Sequence, residues 1–426
     1  MTETPAHLRE LRRELHRHPE PAWREFYTTA RILTECDRIG VDETVVGPDA
    51  LDSDARAGVP DKAALARWRD RARETGVDAT MLETLEGGHT GAIAVLERGE
   101  GPTVALRVDI DALPRRESTE TDHRPADEGF RAAYDDAMHA CGHDGHATIG
   151  VGVLEAIADS DFAGTLKVIF QPAEEVIGGG RAIAESGHLD DVDALFAIHL
   201  GLGHPTGEIV AGVDGMLAVS NFHAAFEGQP AHAGGHPEHG DNAVQAMATA
   251  IQNLYAIARH ADGATRVNAG EVGGGSASNV IPESAYINGE IRGKTTRLME
   301  YMRERAETVL DAAADVHDCT VSIERTGEAP SAEPDDTLVE QVYDVAGGIE
   351  RVTSRQRHAE LGGSEDATYL MRRVQQRGGT ATFVGIGTDT AGGHHTATFD
   401  IDEVSIGIGV DVLREAILSI GGEDND

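Results

Sequence analysis

The chain has 426 residues, and single hydrophobic cores stop growing near about 250–300 residues, so two domains are expected. Acidic residues outnumber basic ones by 74 to 36, and the formal net charge of −38 argues against nucleic acid and anionic membranes as partners. The chain has no apolar run of about 18 residues and no apolar segment behind its charged N-terminus, so we expect neither a membrane span nor a secretory signal, and a cytoplasmic location.

The first half of the chain begins with a helical pattern and continues as alternating strands and helices. Residues 6–39 are predicted to form a helix because Leu8, Leu11 and Leu15 recur near the 3.6 period. Residues 49–76 are polar and helix-favouring, and we expect an inserted pair of surface helices outside the core. The following segments are predicted to be strands in GAIAVLERG, TVALRVDI, TLKVIFQP and ALFAIHL, and a helix in DGHATIGVGVLEAIADS. This alternation predicts a sheet with helices on both faces.

The sequence pattern changes near residue 218. The predicted elements are an exposed strand in NFHAAFEGQPAHAGG, a helix in NAVQAMATAIQNLYAIARHA, a strand in SAYINGEIRG, a helix in RLMEYMRERAETVLDAAADVHD and a strand in CTVSIERTGEA. This β-α-β-α-β order predicts a small α+β sandwich with one antiparallel sheet. The α/β pattern returns after residue 325 and ends in a helix at 404–419. We therefore expect a larger α/β domain made of 1–217 and 326–426, with a second domain, 218–325, inserted into it.

Two clusters of metal-ligand residue types lie around the end of a predicted strand and the start of a predicted helix. Asp109 and Asp111 in LRVDIDALP share one face at the end of a strand, where open α/β sheets bind ligands. The motif HACGHDGH places five potential ligands or acids just ahead of a helix: His139, Cys141, His143, Asp144 and His146. A thiolate and an imidazole at this spacing can bind one transition metal or bridge two.

Three further clusters complete the pattern. FQPAEE places Glu174 and Glu175 after an apolar strand, where one carboxylate can bind a metal while the other accepts a proton from water. His199 ends ALFAIHL, and GTDTAGGHHTATFDIDE carries His394 and His395 behind two glycines. Taken singly, every cluster except HACGHDGH has an ordinary structural explanation, such as a turn cap or a hydrogen-bonded histidine. Their joint occurrence favours a metal centre.

Cysteine usage and charge also indicate the compartment. Cys36, Cys141 and Cys319 are too few for a disulfide framework, and Cys36 and Cys319 are expected to be small buried residues. The acidic surplus is spread along the chain, and lysine is scarcer than arginine. This composition is typical of a halophilic protein from a high-salt cytoplasm, where salt screens self-repulsion.

The order LRVDIDALP, HACGHDGH, FQPAEE, AIHL and a C-terminal HH resembles the aminoacylase/hippuricase family of metallo-amidohydrolases. The resemblance covers nearly the whole chain, from LRRELHRHPEPAWREF through the inserted domain. HAGGHPEHGDNAVQAM, GGSASNVIPESAYINGEIRG and GGSEDATYLMRRVQ are most similar to the p-aminobenzoyl-glutamate hydrolase branch, which also accommodates 49–76. The resemblance implies a metallopeptidase-like catalytic domain, with a mixed sheet flanked by helices, and an inserted α+β sandwich that acts as a dimerisation and lid domain.

The resemblance also implies which residues bind metal. Cys141 would bridge two metal ions, and four further ligands would complete the two sites: His143, Glu175, His199 and His395. We prefer His395 to His394 because the family's ligand directly precedes a short polar residue and then an aromatic one, here Thr396 and Phe399.

The remaining roles are assigned in the same way. Glu174 would be the general base, and Asp111 would orient a ligand or tune Glu174. Asp109 stands where related metallopeptidases have a ligand histidine, which leaves its role open. In the inserted domain, His232 would reach across a dimer interface and polarise the scissile carbonyl. Three positions would contact the substrate, with the arginine pairing with its carboxylate: Asn279, Arg292 and Gly363.

The implied reaction is metal-dependent hydrolysis of the amide bond of an N-acyl or N-aroyl amino acid, such as p-aminobenzoyl-glutamate. The mixed Cys/His/Glu ligand set admits Mn, Zn, Co or Ni, and the resemblance favours two Mn or Zn ions per chain. A homodimer is expected, although pairing with a related subunit remains open.

Several alternative functions also fit the sequence. An N-acetyl-amino acid deacetylase or an auxin-conjugate-type hydrolase would use the same chemistry. A hydrolase with Cys141 as nucleophile and a non-catalytic metal-binding partner subunit remain as alternatives from other classes. The HxE and PCxxC pattern of nucleic-acid deaminases is missing.

Overall fold

The computed structural model describes residues 4–421. The α-helices are α1 Ala6–Arg17, α2 Phe26–Ile39, α3 Lys62–Glu74, α4 Ala79–Thr84, α5 Arg124–Asp127, α6 His143–Ala158, α7 Gly180–Glu185, α8 Ala243–Tyr255, α9 Thr296–Val316, α10 Asp336–Ala346, α11 Ala367–Arg377 and α12 Val404–Gly421. The strands are β1 Glu43–Val46, β2 Ala92–Glu97, β3 Thr103–Asp109, β4 Thr165–Gln171, β5 Ala194–Leu200, β6 Glu208–Asp214, β7 Ala218–Glu227, β8 Thr265–Gly274, β9 Ser284–Gly293, β10 Thr320–Ala329, β11 Ser354–Glu360, β12 Thr380–Ile386, β13 Thr390–Ala391 and β14 Asp400–Ile401. Short 3₁₀ turns lie at Gly47–Asp49, Ser53–Ala55 and Pro237–His239. None of the helices in this described range has the length and apolar character that crossing a membrane requires.

The first of two compact units is built on an eight-stranded mixed sheet. It comprises Met1–Asp214, Ala332–Leu361 and Asp366–Asp426. The strand order is β1-β2-β4-β3-β5-β12-β6-β11. The four central strands, β4, β3, β5 and β12, run parallel to one another. On either side of them, β2 is antiparallel to β4, and β6 is antiparallel to β12. The carboxyl ends of β3, β4 and β5 therefore lie at one edge of the sheet, and the expected mixed α/β fold is confirmed.

Helix α6 packs closely against the sheet and against helices α1, α2 and α12. Nearly all of its residues are buried, which is why its sequence reads as apolar on every side. A Cβ atom on Gly145 would come within 2.6 Å of Leu200 Cδ1 and 2.7 Å of Ile401 Cδ1. Glycine at this position therefore lets the first turn of α6 approach the end of β5. Cys36 is buried in the same core, as expected.

The second unit comprises Gly215–Ser331 and Gly362–Glu365. Its four strands form an antiparallel sheet in the order β10-β7-β9-β8, with α8 and α9 packed against it. In β7, Phe222, Ala224 and Phe226 alternate with more exposed residues and join this unit's own hydrophobic core, as does the buried Cys319. The limits lie a few residues outside the predicted 218–325, and the short return of the chain at 362–365 has no signal in the sequence.

The predicted helix over 6–39 is wrong in one respect, because the segment folds as two helices. Helix α1 ends at Arg17 and α2 begins at Phe26. Pro19 and Pro21 lie between them, and proline both lacks the backbone donor and disfavours helical geometry in the preceding residue. The Glu20 carboxylate accepts the backbone N–H groups of Tyr27 and Thr28, which stabilises the start of the second helix.

The expectation for 49–76 is also wrong, because this segment contains one α-helix, α3, and has a core of its own. Trp68 is only 1% exposed and packs with Phe26, Leu82 and Leu85. This small core could not be predicted from composition, because α3 is rich in charged residues and only one of its faces is apolar. The segment therefore packs against α2 and is not a purely surface insertion.

One strand of the second unit was not predicted. β8 forms the edge of the sheet and pairs with β9, so the order is β-α-β-β-α-β and not the expected β-α-β-α-β. Its sequence, TRVNAGEVGG, lacks a continuous apolar alternation because its glycines and exposed position leave few buried residues. The register of β8 also shifts between Ala269 and Glu271, which breaks the period of two.

Candidate metal centre and active site

Five segments of the first unit bring metal-ligand residue types together. Among their ligand atoms are three overlapping groups, each with all atoms within 4.8 Å of one another: Cys141, His143 and His199; Cys141, Glu175 and His395; and His143, Glu174 and Glu175. Cys141 belongs to two of these groups and His143 to two. All five residues proposed as metal ligands from the sequence are therefore present at one place.

The strand ends and the start of α6 explain this convergence. His199 is the penultimate residue of β5, and the Glu174-Glu175 pair follows the end of β4 by three residues. Gly142 adopts a left-handed φ of 93° immediately before α6, which starts at His143. Ala173 also has a positive φ, 57°, so the chain turns sharply before the two glutamates. Parallel strands thus deliver ligands from separate sequence regions to one edge of the sheet.

Of three distances between ligand atoms, two fall within the range of a tetrahedral metal site and the third is slightly longer. Cys141 Sγ lies 3.5 Å from His199 Nε2, and Glu175 Oε2 lies 3.5 Å from His395 Nε2. His143 Nε2 lies 4.0 Å from Glu175 Oε1. Ligands bound at about 2.0–2.3 Å in tetrahedral geometry are separated by about 3.3–3.7 Å. His199 Nδ1 donates to the Leu200 carbonyl at 2.8 Å, and this bond turns Nε2 toward Cys141.

Two buried atoms lack the partners that a structural polar group would need. His143 Nε2 and Glu175 Oε1 have no hydrogen-bond partner among residues 4–421. Leaving such groups unsatisfied costs about 1–3 kcal/mol each, so a folded protein normally gives them a partner. A divalent ion between them would supply it, and the mixed Cys/His/Glu set suits a borderline transition metal. The residues present therefore fit a metal centre.

Burial and neighbouring charges shift the pKa values of the ligands in different directions. Burial raises the pKa of the Cys141 thiol well above its ordinary value and raises that of Glu175 to about 7. Burial alone would lower the pKa of His143, but Asp109, Cys141 and the hydrogen bond to Asp111 together outweigh it and hold the pKa well above the usual range. Burial keeps the pKa of His199 low. Because bound ligands must be deprotonated, metal loading releases protons here and weakens as the pH falls.

Asp111 fixes the two glutamates and His143 at once. Its Oδ1 accepts the Glu174 backbone N–H and its Oδ2 accepts that of Glu175, each at 3.1 Å. Oδ1 also lies 3.2 Å from His143 Nδ1, which donates to it and so leaves Nε2 directed at the ligand group. This carboxylate is 1% exposed. Asp111 is thus placed to orient both a ligand histidine and the Glu174-Glu175 turn.

Asp109 and His146 lie beside the centre but are held by other partners. Asp109 Oδ2 accepts from Arg107 at 2.7 Å, and Oδ1 accepts from His146 Nδ1 at 2.5 Å. His146 Nε2 in turn accepts the backbone N–H of Leu200 at 2.8 Å. Asp109, His143 and His146 also form a compact group, but these hydrogen bonds make Asp109 and His146 a brace between β3, α6 and the end of β5.

The neighbours His394 and His395 point to different partners. His394 Nε2 donates to the Leu200 carbonyl at 3.2 Å, and its ring packs 5.0 Å from that of Phe399. His395 approaches Glu175, and its backbone has a positive φ of 62°, which is costly for a non-glycine residue. Its N–H donates to the Ala140 carbonyl at 2.7 Å. The geometry favours His395 as the ligand.

A buried ionic network behind HACGHDGH was missed from the sequence. Arg12 is fully buried, with its Nε 2.9 Å from Asp144 Oδ2 and its Nη2 2.7 Å from Asp400 Oδ1. His16 Nδ1 lies 2.7 Å from the same Asp144 oxygen, and its Nε2 lies 2.9 Å from Glu117. The available signal was that Arg12 and His16 share the helix face of Leu8, Leu11 and Leu15, where buried charges need partners.

The network raises the pKa of His16 to about 9. Burial and the Arg12 charge oppose this shift, and the hydrogen bonds to Asp144 and Glu117 outweigh them. His139, in the same motif, is buried with neither ring nitrogen hydrogen-bonded among the described residues. Burial lowers its pKa to about 3, so His139 is neutral.

The substrate residues suggested by the resemblance lie in the second unit. Ala233 N donates to Asn279 O at 3.0 Å, and His232 forms an isolated bridge with Val280, so these two segments run side by side. His232 Nδ1 accepts N–H groups from Gly234 and Gly235, at 3.2 and 2.9 Å. A neutral His232 therefore carries its proton on Nε2 and can donate there.

Arg292 is paired within the same unit. Its Nε and Nη2 lie 3.1 and 3.0 Å from the two carboxylate oxygens of Glu290, and its Nη1 lies 3.4 Å from Ser364 Oγ. Gly363 O accepts from Leu217 N at 2.7 Å, and Gly362 has a positive φ of 67°. The short segment 362–365 thus passes beside the guanidinium.

Comparison with known proteins agrees with this site. Residues 105–419 match the model of "Peptidase family M20/M25/M40". The chain is 43% identical over 419 residues to an indole-3-acetyl-aspartic acid hydrolase from Enterobacter agglomerans, covering 97% of this chain and 95% of that protein. It is 39% identical over 416 residues to a p-aminobenzoyl-glutamate hydrolase subunit from Escherichia coli K12, covering 97% and 95%. A crystal structure of an aminobenzoyl-glutamate utilization protein from Klebsiella pneumoniae superposes with a TM-score of 0.83 at 35% identity, covering 97% and 96% of the two chains.

Proposed function

The chain is a hydrolase of amide bonds that belongs to peptidase family M20/M25/M40, and we propose that it cleaves aromatic N-acyl conjugates of acidic amino acids. The names of two relatives, both more than a third identical to this chain, support this class. Indole-3-acetyl-aspartic acid and p-aminobenzoyl-glutamate each join an aromatic acyl group to a dicarboxylic amino acid. The observation that carries the proposal is the convergence of five ligand residues around Glu174 at one edge of the sheet.

In this proposal, two divalent ions would be held by Cys141 and four further residues: His143, Glu175, His199 and His395. The mixed donor set of a thiolate, imidazoles and a carboxylate admits Mn, Zn, Co or Ni, and we favour Mn or Zn because of the family resemblance. The ions would supply Lewis-acid polarisation of the amide carbonyl and acidification of a water molecule. Support comes from two buried atoms, His143 Nε2 and Glu175 Oε1, that have no hydrogen-bond partner within the described part of the chain.

Glu174 moves the proton in the proposed mechanism. Its carboxylate accepts a proton from the attacking water and later delivers that proton to the leaving amine. Asp111 holds the Glu174 backbone at 3.1 Å and fixes the His143 ring at 3.2 Å, so one carboxylate positions the base relative to a ligand. Glu174 is 7% exposed, which limits its hydration and favours transfer to substrate over bulk solvent.

Residues of the second unit recognise the substrate in this proposal. His232, with its proton on Nε2, donates to the amide carbonyl oxygen as negative charge develops there. Arg292 binds the amino acid carboxylate through its Nη1 edge, since its Nε and Nη2 atoms are paired with Glu290. Asn279 and Gly363 contact the substrate. We propose that the protein works as a homodimer in which His232 serves the site of the other copy. One relative is named as a subunit of its hydrolase, which makes hetero-pairing the alternative to test.

The experiment compares amide substrates on the purified, metal-loaded single chain. We expect p-aminobenzoyl-glutamate and indole-3-acetyl-aspartate to be cleaved with kcat/KM at least about tenfold above that for N-acetyl-glutamate, because a site that holds the aromatic group gains from it. Preference for N-acetyl substrates would instead indicate a deacetylase. Inactivity of a metal-replete chain on every amide would support the role of a non-catalytic partner. Activity that resists chelators but is lost on thiol alkylation would indicate Cys141 as nucleophile.

We also propose that the protein works in a salt-rich cytoplasm. A net charge of −38 repels itself in dilute buffer, and the three cysteines are all unpaired, as expected for a reducing compartment. The free energy of unfolding should rise between dilute buffer and molar salt. Full stability in dilute buffer would contradict adaptation to high salt.

A further inference from the structure

A second group of metal-ligand residues lies on the surface of the second unit and has no role in the reaction above. It consists of His236, Glu238 and His239, whose ligand atoms lie within 4.8 Å of one another. His236 Nδ1 is 3.4 Å from Glu238 Oε1, and His239 Nε2 is 3.8 Å from the same oxygen. The two imidazole rings are nearly parallel, with centroids 5.4 Å apart.

The backbone fixes these three side chains relative to one another. Pro237–His239 form a single 3₁₀ turn, and proline at its first position restricts φ. His236 N donates to the His232 carbonyl at 3.0 Å, and His239 N donates to the His236 carbonyl at 3.2 Å. The backbone N–H of Gln229 donates to the Asp241 carbonyl and that of Asp241 to the Gln229 carbonyl, each at 3.0 Å. This pair of hydrogen bonds closes the loop that contains the turn. These hydrogen bonds hold the three side chains near one another, so a bound ion has only to suppress the transient opening of this exposed turn.

The spacing and chemistry of this group suit one metal ion. Imidazole nitrogens and a carboxylate oxygen bound at about 2.0–2.2 Å in tetrahedral geometry are about 3.3–3.5 Å apart. The observed 3.4 and 3.8 Å reach that range with small side-chain rotations. Two imidazoles with one carboxylate favour zinc and its transition-metal neighbours over calcium or magnesium, which prefer oxygen ligands.

Competing protein contacts are few. The side chains of the three residues are 62–70% exposed, and their only ion-pair distances in the described chain are those within the group. Exposure leaves the remaining coordination positions to water, which is compatible with reversible binding from solution. The high negative charge of the whole protein also raises the local concentration of cations.

We propose that His236, Glu238 and His239 form a separate, exposed site for one zinc ion, outside the centre in the first unit. Because the turn is hydrogen-bonded to the His232 carbonyl, zinc bound here also orders the loop that carries His232. The binding part of this proposal does not depend on the hydrolase function. Only the consequence for His232 touches the proposed reaction.

The test measures the zinc stoichiometry of the full-length protein after the metal centre of the first unit has been loaded. Wild type, the double variant His236→Asn/His239→Asn and the control variant His7→Asn are each dialysed against micromolar zinc. His7 is chosen because it is a half-exposed histidine beside a carboxylate, Glu155, in the first unit. We expect wild type and His7→Asn to bind one zinc more than the double variant. Equal stoichiometry in all three proteins would overturn the proposal.

A second measurement follows the loop itself. Hydrogen exchange of the backbone amides of residues 232–241 should slow on zinc addition in wild type and not in the double variant. Calcium at the same concentration should have no effect. The Glu174→Gln variant should show the same zinc-dependent slowing, which separates this site from the hydrolase proposal. Unchanged exchange in wild type would exclude ordering of the His232 loop by zinc.

Discussion

The proposed catalytic residues of the two units are held in opposite ways. In the first unit, His143 and Asp111 are almost completely buried, and each has hydrogen bonds that direct a particular atom toward the ligand group. In the second unit, His232 is exposed and Arg292 is about one-third exposed, with a few local partners. Charges that leave water must be compensated by the fold, whereas charges that meet a substrate can stay hydrated until it arrives. Substitutions in the first region should therefore abolish the centre, and those in the second should weaken binding.

The largest effect is expected from the ligands of the buried centre. Cys141→Ala and His143→Ala should each lose bound metal and reduce turnover to background, because the neighbouring Asp109 and His146 are committed to hydrogen bonds of their own. Metal analysis and activity of the same preparation provide the measurement. His394→Ala is the matched control, since His394 donates to the Leu200 carbonyl and its neighbour His395 approaches Glu175. Loss of metal in His394→Ala but not in His395→Ala would reverse our choice between them.

The proton-transfer group should be separable from metal binding. Glu174→Gln should retain full metal content and lose kcat by about 10²–10⁴-fold, the usual contribution of a general acid-base group. KM should change little. Unchanged turnover would contradict the role of Glu174, and loss of metal would make it a ligand instead. Glu185→Gln, on the exposed end of α7, is a control for the loss of one carboxylate.

Substitutions in the buried network should change the free energy of unfolding more than they change catalysis. Arg12→Met would remove the buried guanidinium that Asp144 and Asp400 share, and should lower the free energy of unfolding by about 3–5 kcal/mol. Arg13→Met removes a partly exposed arginine and should cost about 1 kcal/mol or less. Urea unfolding of both variants measures the difference. Equal effects would mean that burial of the first arginine has no special consequence.

Substrate recognition should respond through KM. Arg292→Met should raise KM for p-aminobenzoyl-glutamate by about 10–100-fold, the value of a charged hydrogen-bonded contact, with a smaller effect on kcat. A substrate amide that lacks the amino acid carboxylate should show the same KM in wild type and variant. If Arg292→Met and wild type show the same ratio of KM values for the substrates with and without the carboxylate, Arg292 does not bind that carboxylate.

The smallest expected effect is a change in how the stability of the protein depends on pH. The folded state raises the pKa of His16 from 6.5 to about 9, so the folded protein binds this proton more tightly than the unfolded chain. The stabilisation is fully present below pH 6.5 and is lost as the pH rises through about 9. Urea unfolding between these limits should show stability falling in wild type and changing less in His16→Gln. Parallel pH curves would contradict a charged His16.

The contrast between the two units also shows which features could be predicted from the sequence alone. Ligand types are chemically distinctive, so HACGHDGH, Glu174-Glu175 and His199 could be singled out as candidates without coordinates. The fold class and four of the eight strands of the large sheet, β2 to β5, follow from apolar, β-branched runs. The other four strands, β1, β6, β11 and β12, were not predicted individually. Arg12 and His16 were missed because nothing in a local pattern tells that a charged helix residue faces the core. Their partners, Asp144 and Asp400, lie more than a hundred residues away.

Other features depend on tertiary contacts that no short pattern contains. The edge strand β8 was missed because its glycines and exposed residues conceal a period of two. Trp68 was assigned to a surface helix because the charged residues of α3 outnumber its few buried ones. The resemblance favoured His395 over His394, but the structural reason for this choice is one positive φ and the direction of two side chains. Such directions are fixed only when the whole chain has folded.

The most direct test of the metal centre is an anomalous-scattering map of crystals grown from manganese- or zinc-loaded protein. We predict two peaks about 3.5–4 Å apart, surrounded by Cys141, His143, Glu175, His199 and His395, with Glu174 beside them and not bound. A map without peaks among these residues, from protein shown to contain metal, would contradict the account.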